Sequence, residues 1–146
     1  MGDGFDMMGS GFECDYVSAE YVDIDDTTLL TAASGTIDNS NYYNGQNSRW
    51  IVAHWGATSA SITCEGETSP GDMVKLFTAS CDGTLNVNHA SLLASSTGVI
   101  DIDEEMHYGH DQANCFYVEF ETDLDYVGGQ GFNCTYYTSD GWYSWD

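Results

Sequence analysis

The sequence predicts an all-β protein, folded as an antiparallel β-sandwich, and three observations support this class. Short segments rich in β-branched and aromatic residues recur along the chain, which is typical of strands. Segments rich in Gly, Asn, Asp and Ser separate them, as expected for turns. Neither a long helical period nor an internal repeat is visible, so we expect a single sandwich of short strands.

The first half of the chain contains a leader, an acidic edge strand and three further strands. The glycine-rich leader covers residues 1–12, and the segment ECDYVSAEYVDID, residues 13–25, is predicted as an edge strand. The Asn-rich stretch at residues 38–48 is predicted as a loop, because Asn, Gly and Ser favour turns. Residues 27–37 are predicted as a strand followed by a turn, and further strands are expected at residues 49–55 and 59–65.

The second half begins with a turn at residues 66–72 and a well-alternating strand at 73–79. Residues 85–93 fit no single class, and residues 97–114 are predicted as a strand followed by an acidic loop. The last strands, 115–122 and 131–138, flank an acidic, glycine-rich bend. Alternation predicts these core residues: Trp50, Val52, Ile62, Val74, Leu76, Val118, Phe120, Phe132 and Tyr136.

The charge balance limits the classes of partner. Arg49 and Lys75 are the only strong bases against 24 Asp and Glu, for a formal net charge of −22. Nucleic acid and anionic membranes would be repelled, whereas cations and basic partners would be attracted. The acids fit calcium, high salt or simple solubility equally well. Membrane insertion is not expected, because no apolar run approaches about 20 residues.

Cysteine use indicates an oxidising compartment. The five cysteines include no C-x-x-C pair, which argues against structural zinc and favours disulfides. Asn133-Cys134-Thr135 is a glycosylation acceptor, which also fits secretion. No signal peptide is visible. We therefore expect a secreted chain whose signal has been removed, with a cytosolic protein as the alternative.

Three motifs, in order, resemble those of a CUB domain. They are GTIDNSNYYNGQNSRWIV (35–52), SITCEGETSPGDMVKLF (61–77) and VEFETDLDYVGGQGFNCTY (118–136). The resemblance covers residues 30–138 and implies a CUB-like jelly-roll sandwich. We therefore expect the domain at residues 30–146, preceded by an acidic N-terminal extension, residues 1–29, that serves as an edge or exchanged strand.

The resemblance also implies a disulfide between Cys81 and Cys115. Cys64 and Cys134 are in phase with the inward residues Ile62 and Phe132, so they can bridge two core strands if their Cα atoms are about 4.4–6.8 Å apart. Cys14 is then the odd cysteine, available for a bond between chains. The pairing of Cys14 with Cys134 stays open, because sequence does not set connectivity.

Many CUB domains bind calcium at one end of the sandwich, and the resemblance carries this site over. The implied ligands are Glu67 (or Glu65), Asp72 and Asp123, supported by Tyr43 (or Tyr42). Calcium takes 6–8 hard oxygen ligands, so loops from distant parts of the chain must converge on it. The alternative is that these acids are solvated turn residues.

A second acidic cluster, DIDEEMHYGHDQ, covers residues 101–112. It is not an EF-hand, because Met106 and Gln112 occupy the Gly and terminal Glu positions. His107 and His110 would chelate a transition metal only if the segment turned helically. We expect a mobile, solvated loop. The lone residues His54 and His89 are expected to pack or to lie on the surface.

No Gly-rich phosphate loop and no G-x-S-x-G elbow is present, so we expect a non-enzymatic protein. The resemblance implies an extracellular module for adhesion or assembly. Its extension offers a route to self-association by strand addition, and thus to filaments. The alternative is a carbohydrate-binding module. Its stacking residues would be Trp55, Tyr42, Tyr43, Trp142 or Trp145. A cytosolic protein adapted to high salt is the third class.

Overall fold

The structure, a computed structural model, describes residues 24–40, 46–108, 113–122 and 130–139. None of these segments forms a helix with the length and hydropathy that a membrane span needs. The described strands are β1 (Asp26–Leu30), β2 (Ser34–Ser40), β3 (Ser48–Val52), β4 (Ser59–Glu67), β5 (Met73–Cys81), β6 (Val87–Thr97), β7 (Val99–His107), β8 (Cys115–Glu121) and β9 (Gly131–Ser139).

The strands form two sheets that pack face to face. One sheet has the order β1-β3-β8-β5-β6, and the other has the order β2-β9-β4-β7. Neighbouring strands are antiparallel except β1 and β3, which are parallel. The parallel pair arises because β2, which lies between them in sequence, belongs to the opposite sheet. The predicted all-β sandwich is confirmed, with this pair as the exception to antiparallel order.

The larger of two buried clusters in the described segments lies between the sheets and is formed mainly by alternate residues of the strands. Eight of the nine predicted core residues are buried, and the ninth, Trp50, is half-buried and packs against the same cluster. Phe120 of one sheet and Phe132 of the other have ring centroids 5.5 Å apart. Trp50 meets Phe132 edge-on at 5.9 Å. Each fully buried aromatic ring stabilises the fold by about 1.5–3 kcal/mol.

Strands extend beyond several predicted segments. Residues 27–37, predicted as a strand followed by a turn, include parts of two strands, β1 and β2. The unassigned stretch 85–93 lies largely in β6. The acidic cluster at 101–112 was predicted to be a loop, which is wrong for residues 101–107 because they continue β7. β1 crosses the boundary expected at residue 30 and pairs with β3. The edge strand predicted at 13–25 lies almost wholly outside the described residues.

Gly66 is held between two strands. It lies in β4, opposite Ile100 of β7 and Phe132 of β9. Its φ is +144°. A Cβ at this position would be 2.3 Å from the carbonyl oxygen of Gly131 and 2.5 Å from the Cα of Phe132. Because both contacts are to backbone, only glycine fits here without moving β9.

Both basic residues of the chain lie on the outer face of the five-stranded sheet. Arg49 donates to Glu119 Oε2 from Nε at 3.1 Å and from Nη2 at 2.8 Å, and its guanidinium lies 4.7 Å from the Tyr117 ring centroid. Lys75 pairs with Glu121 at 2.6 Å. Burial raises the pKa of Tyr117 to about 12, and the negative charge of Glu119 contributes to the increase. The positive charge of Arg49 lowers this pKa, but by less. Four charges on this face therefore cancel in pairs.

The Tyr108 hydroxyl is a buried polar group that, in the described part of the chain, makes no hydrogen bond. Burial also raises the pKa of this phenol. We expect Tyr108→Phe to raise the free energy of unfolding by about 1 kcal/mol, because it removes an unsatisfied hydroxyl. Urea unfolding measures this. Tyr136→Phe is the matched control. The Tyr136 hydroxyl donates to the Ala32 carbonyl at 3.5 Å, so its removal should not raise the free energy of unfolding. Equal gains in both variants would contradict the explanation.

Candidate functional site

One end of the sandwich gathers the strand termini from both sheets. In the five-stranded sheet, Ser48 at the start of β3 is opposite Phe120 of β8, and Met73 at the start of β5 is opposite Glu121. In the other sheet, Glu67 at the end of β4 is opposite Gly131 at the start of β9. β2 and β8 end here, and β3 and β9 begin here. We call this end of the sandwich the loop end.

Asn47 ties three chain segments together at the loop end. Its backbone N–H donates to Asp25 Oδ2 at 2.8 Å, and its backbone carbonyl accepts from the Asp25 N–H at 2.8 Å. Its side-chain Oδ1 accepts from the Thr122 N–H at 2.9 Å and from the Thr122 hydroxyl at 3.3 Å. The approach to β1, the start of β3 and the end of β8 are therefore fixed relative to one another.

The turn from Thr68 to Asp72 is also fixed. The Asp72 N–H donates to the Ser69 carbonyl at 3.1 Å, and the Asp72 carbonyl accepts from the hydroxyls of Thr68 and Thr97. Thr68 in turn donates its N–H to the Gly98 carbonyl at 2.7 Å and accepts from the Gly98 N–H at 3.0 Å. Hydrogen bonds from the connection between β6 and β7 therefore hold the turn in place. Within this turn, Asp72 is fully buried, with 0% exposure.

The predicted calcium ligands occupy different environments. Asp72 is fully buried at the loop end, whereas Glu65 and Glu67 are exposed on β4. Asp123 and Tyr43, like the alternative Tyr42, lie outside the described residues. Within the described ranges, no three His, Cys, Asp or Glu side chains are grouped closely enough to hold a metal ion. A buried carboxylate is compatible with a cation site, but Asp72 also has a partner within the fold, so its burial alone does not require a cation.

Sequence reasoning did not single out the residues that hold this turn and its neighbours. The side chains concerned, those of Asn47, Thr68 and Thr97, form hydrogen bonds to distant residues only once the folded strands bring those residues close. No local sequence pattern therefore identifies them. The only local signal was the turn composition of GETSPGD, which predicts a bend but no partner.

The histidines outside this end do not form a metal pair in the described residues. His107 is the last residue of β7 and is opposite Ser59, so the helical turn needed for chelation is excluded at that residue. His110 lies outside the described residues. His54 Nδ1 is 2.7 Å from the Thr138 hydroxyl, and His89 is exposed on β6. These two therefore take structural and surface positions.

Two disulfides join the described cysteines, and the bond of Cys134 to Cys64 rules out the alternative pairing of Cys134 with Cys14. Cys81 and Cys115 link β5 to β8 with Cα atoms 6.0 Å apart. Cys64 and Cys134 are opposite each other on β4 and β9, with Cα atoms 4.0 Å apart. This second distance is slightly below the expected range of about 4.4–6.8 Å. Cys14 lies outside the described residues.

The opposite end of the sandwich exposes an aromatic ring. Trp55, after β3, has 76% of its surface exposed. It lies at the rim of a depression of about 270 Å³, lined also by Ala53, His54, Gly56, Ala57, Cys81 and Asn114. Trp142 and Trp145 lie outside the described residues. The depression combines an apolar platform with few polar groups, a composition common in small-molecule sites.

Solved structures with the same architecture share little sequence with this chain. The MASP-1 CUB2 domain bound to Ca2+ matches with a TM-score of 0.53 and 13% identity, over 75% of this chain and 96% of that chain. The fold is CUB-like. Rat MASP-1 CUB1-EGF-CUB2 matches this CUB-like fold with a TM-score of 0.52 and 16% identity, over 77% of this chain and 42% of that chain.

The full extracellular region of zebrafish Gpr126/Adgrg6 also contains a match to the CUB-like fold. Its TM-score is 0.58 at 18% identity, and the match covers 77% of this chain. This chain spans only 14% of that protein's extracellular region. No protein-family model matches the sequence, and no curated protein matches it. The likeness therefore concerns the fold of the chain.

Proposed function

We propose that this chain is a secreted, non-enzymatic CUB-like module for extracellular adhesion or assembly, which binds calcium at its loop end. The observation that carries the proposal is Asp72: a fully buried carboxylate at the end of a CUB-like sandwich, in a turn clamped by Thr68 and Thr97. The MASP-1 CUB2 structure, which has the same fold, is described as bound to Ca2+. Two disulfides support an oxidising compartment.

In this proposal Asp72 is the anchoring ligand of the ion. Asp123, Glu67 (or Glu65) and Tyr43 (or Tyr42) belong to the segments that would complete the site, with carbonyl oxygens and water. Bound calcium would neutralise nearby carboxylates and hold the loops against the sandwich. In a chain with a formal charge of −22, that neutralisation would relieve mutual repulsion.

Calcium removal from the Asp72 site is the direct test. For the wild-type chain we expect calcium at 100 times Kd to add about 2.7 kcal/mol to the free energy of unfolding, because only the folded state presents the site. Asp72→Asn should lose this increment. Asp101→Asn, which removes an exposed carboxylate of β7, should keep it. Thermal unfolding and calorimetric titration with calcium and with chelator measure both effects.

A wild-type chain that binds no calcium would overturn the calcium proposal whatever the variants do. If Asp72→Asn is unstable, titration calorimetry of the wild-type chain still decides whether the ion binds. If Asp101→Asn loses as much as Asp72→Asn, binding would be diffuse attraction to the acidic surface and not a site at the loop end.

We further propose that the N-terminal extension joins copies of the chain by strand addition, with Cys14 available for a bond between chains. Five cysteines, of which four are in internal disulfides, support this role for Cys14. Asn133 is exposed on β9, where a glycan on the Asn-Cys-Thr acceptor would cover the outer face of the four-stranded sheet. Sedimentation velocity across concentration tests the association.

Trp55 supports carbohydrate binding as the second candidate function. An exposed indole beside a depression of about 270 Å³ suits stacking on a sugar ring. We expect a glycan array to detect binding that Trp55→Ala reduces at least tenfold. Tyr137→Ala removes another exposed ring, on β9, and should leave it unchanged. An array without hits would reject this candidate.

A further inference from the structure

The edge strands of the two described sheets differ in charge. β1 and β2 each contain one Asp, and β7 contains four acids. β6 has 11 residues, VNHASLLASST, with no Asp, Glu, Lys, Arg or Pro. Natural edge strands avoid pairing with other chains by carrying charges or proline. In a chain with 24 acids, β6 is a long edge that lacks this protection.

The contrast with β7 extends to the side chains. Glu104 is in phase with the buried residues Ile102 and Met106, and an inward-pointing charge is one device that blocks strand addition. β6 instead exposes two leucines: Leu92 has 55% exposure and Leu93 has 42%. Adjacent apolar side chains of this size on an open edge favour contact with another chain.

β6 bends, but part of it remains regular. Its pairing with β5 shifts register between Leu76 and Phe77 and again between Thr78 and Ser80. Residues 94–97 pair regularly with 73–76, so Lys75 is opposite Ser95. A short regular edge therefore lies next to the exposed leucines.

The segment ECDYVSAEYVD, residues 13–23, matches this edge in length and chemistry. It has the same number of residues as β6, and it places Tyr and Val among four acids. β6 has no acidic side chain to repel the carboxylates of this segment, whereas the edge strand β7 has four. The Tyr and Val side chains of the segment would cover Leu92 and Leu93.

Chain connectivity limits how much of the segment can pair with β6 of its own copy. β1 and β6 are the opposite edges of the five-stranded sheet, separated by four strand spacings of about 4.8 Å, or roughly 19 Å. Residue 23 is only three residues before β1, a reach of at most about 10 Å. The segment therefore cannot lie along the whole of its own β6, but the segment of a second copy can.

We propose that residues 13–23 of one copy add as a strand along β6 of a second copy. The inference rests on the proposed self-association and identifies the two segments that form the interface between copies. Each copy then donates at its β1 edge and accepts at its β6 edge. Because donor and acceptor are different surfaces, the contact is head-to-tail and is repeated from copy to copy unless it closes into a ring.

Cys14 provides a chemical test in the full-length chain. In Leu92→Cys, mild oxidation should join Cys14 of one copy to the new thiol of another, as a dimer seen on a non-reducing gel and assigned by peptide mapping. The matched control is Tyr137→Cys, at a large residue on the four-stranded sheet with similar exposure, 60% against 55%. We expect at least tenfold more of the Cys14 cross-link in Leu92→Cys.

Each outcome decides the proposal. A preferred Cys14 cross-link between chains in Leu92→Cys supports it, as does a weakening of association by at least tenfold in Leu92→Asp but not in Tyr137→Asp. A cross-link within one chain overturns the second copy as donor. Association without preference for Leu92→Cys overturns β6 as acceptor and leaves the proposed self-association intact. A chain that stays monomeric at every concentration overturns both.

Discussion

Gly66→Ala is expected to unfold the protein. The new Cβ would lie 2.3 Å from the Gly131 carbonyl oxygen and 2.5 Å from the Phe132 Cα, and real Cβ atoms do not approach backbone so closely. β4 and β9 would have to separate, next to the bonded pair Cys64 and Cys134. The φ of +144° adds strain for any L side chain. The combined cost should exceed about 4 kcal/mol, which is exceptional for one methyl group.

Circular dichroism and urea unfolding measure this effect. Gly83→Ala is the matched control, since Gly83 also has positive φ, +92°, but a Cβ there meets nothing within 4 Å. It should cost only about 1–2 kcal/mol. Equal losses in the free energy of unfolding would contradict this explanation. They would mean that the positive φ, and not the close approach of β9, causes the destabilisation of Gly66→Ala.

Removal of the Cys64–Cys134 disulfide is the second change with a large expected effect. The bond closes a separation of 70 residues, so loop-closure entropy predicts a loss of about 4.4 kcal/mol in the double variant Cys64→Ala, Cys134→Ala. Both residues are buried in the main core, and the two alanines would leave a void that adds to the loss.

The second disulfide is an internal comparison. Cys81 and Cys115 are separated by 34 residues, which predicts a loss of about 3.8 kcal/mol for the double alanine variant. Urea unfolding of both double variants measures the difference. A larger loss for the 81–115 pair would mean that loop length does not control the stability of this sandwich.

The core could be predicted from the sequence because strand alternation is a local signal. Val74, Leu76 and Phe132 are buried as the period of two requires. The same signal was present in β7, where Ile100, Ile102 and Met106 face inward. There, the acids on the exposed positions led to the prediction of a loop. An antiparallel sheet with one solvated face tolerates such acids, so acidic composition alone does not indicate a loop.

The arrangement at the loop end could not be predicted in the same way. Asp72 could be proposed from the CUB resemblance, but its backbone carbonyl accepts a hydrogen bond from Thr97, 25 residues later in the chain. Likewise, the parallel pairing of β1 with β3 depends on β2 joining the other sheet. Both follow from tertiary contacts between distant segments, which local propensity does not encode.

The positions of Arg49 and Lys75 have a consequence for proteolysis. Trypsin cleaves after Arg and Lys, and this chain has one of each. Both are inside interior strands: β3 is flanked by β1 and β8, and β5 by β8 and β6. A protease must bind its substrate as an extended, unpaired segment, so neither bond can be cut until the five-stranded sheet opens. Tryptic cleavage should therefore follow the equilibrium population of the opened sheet and provide a direct measure of its stability.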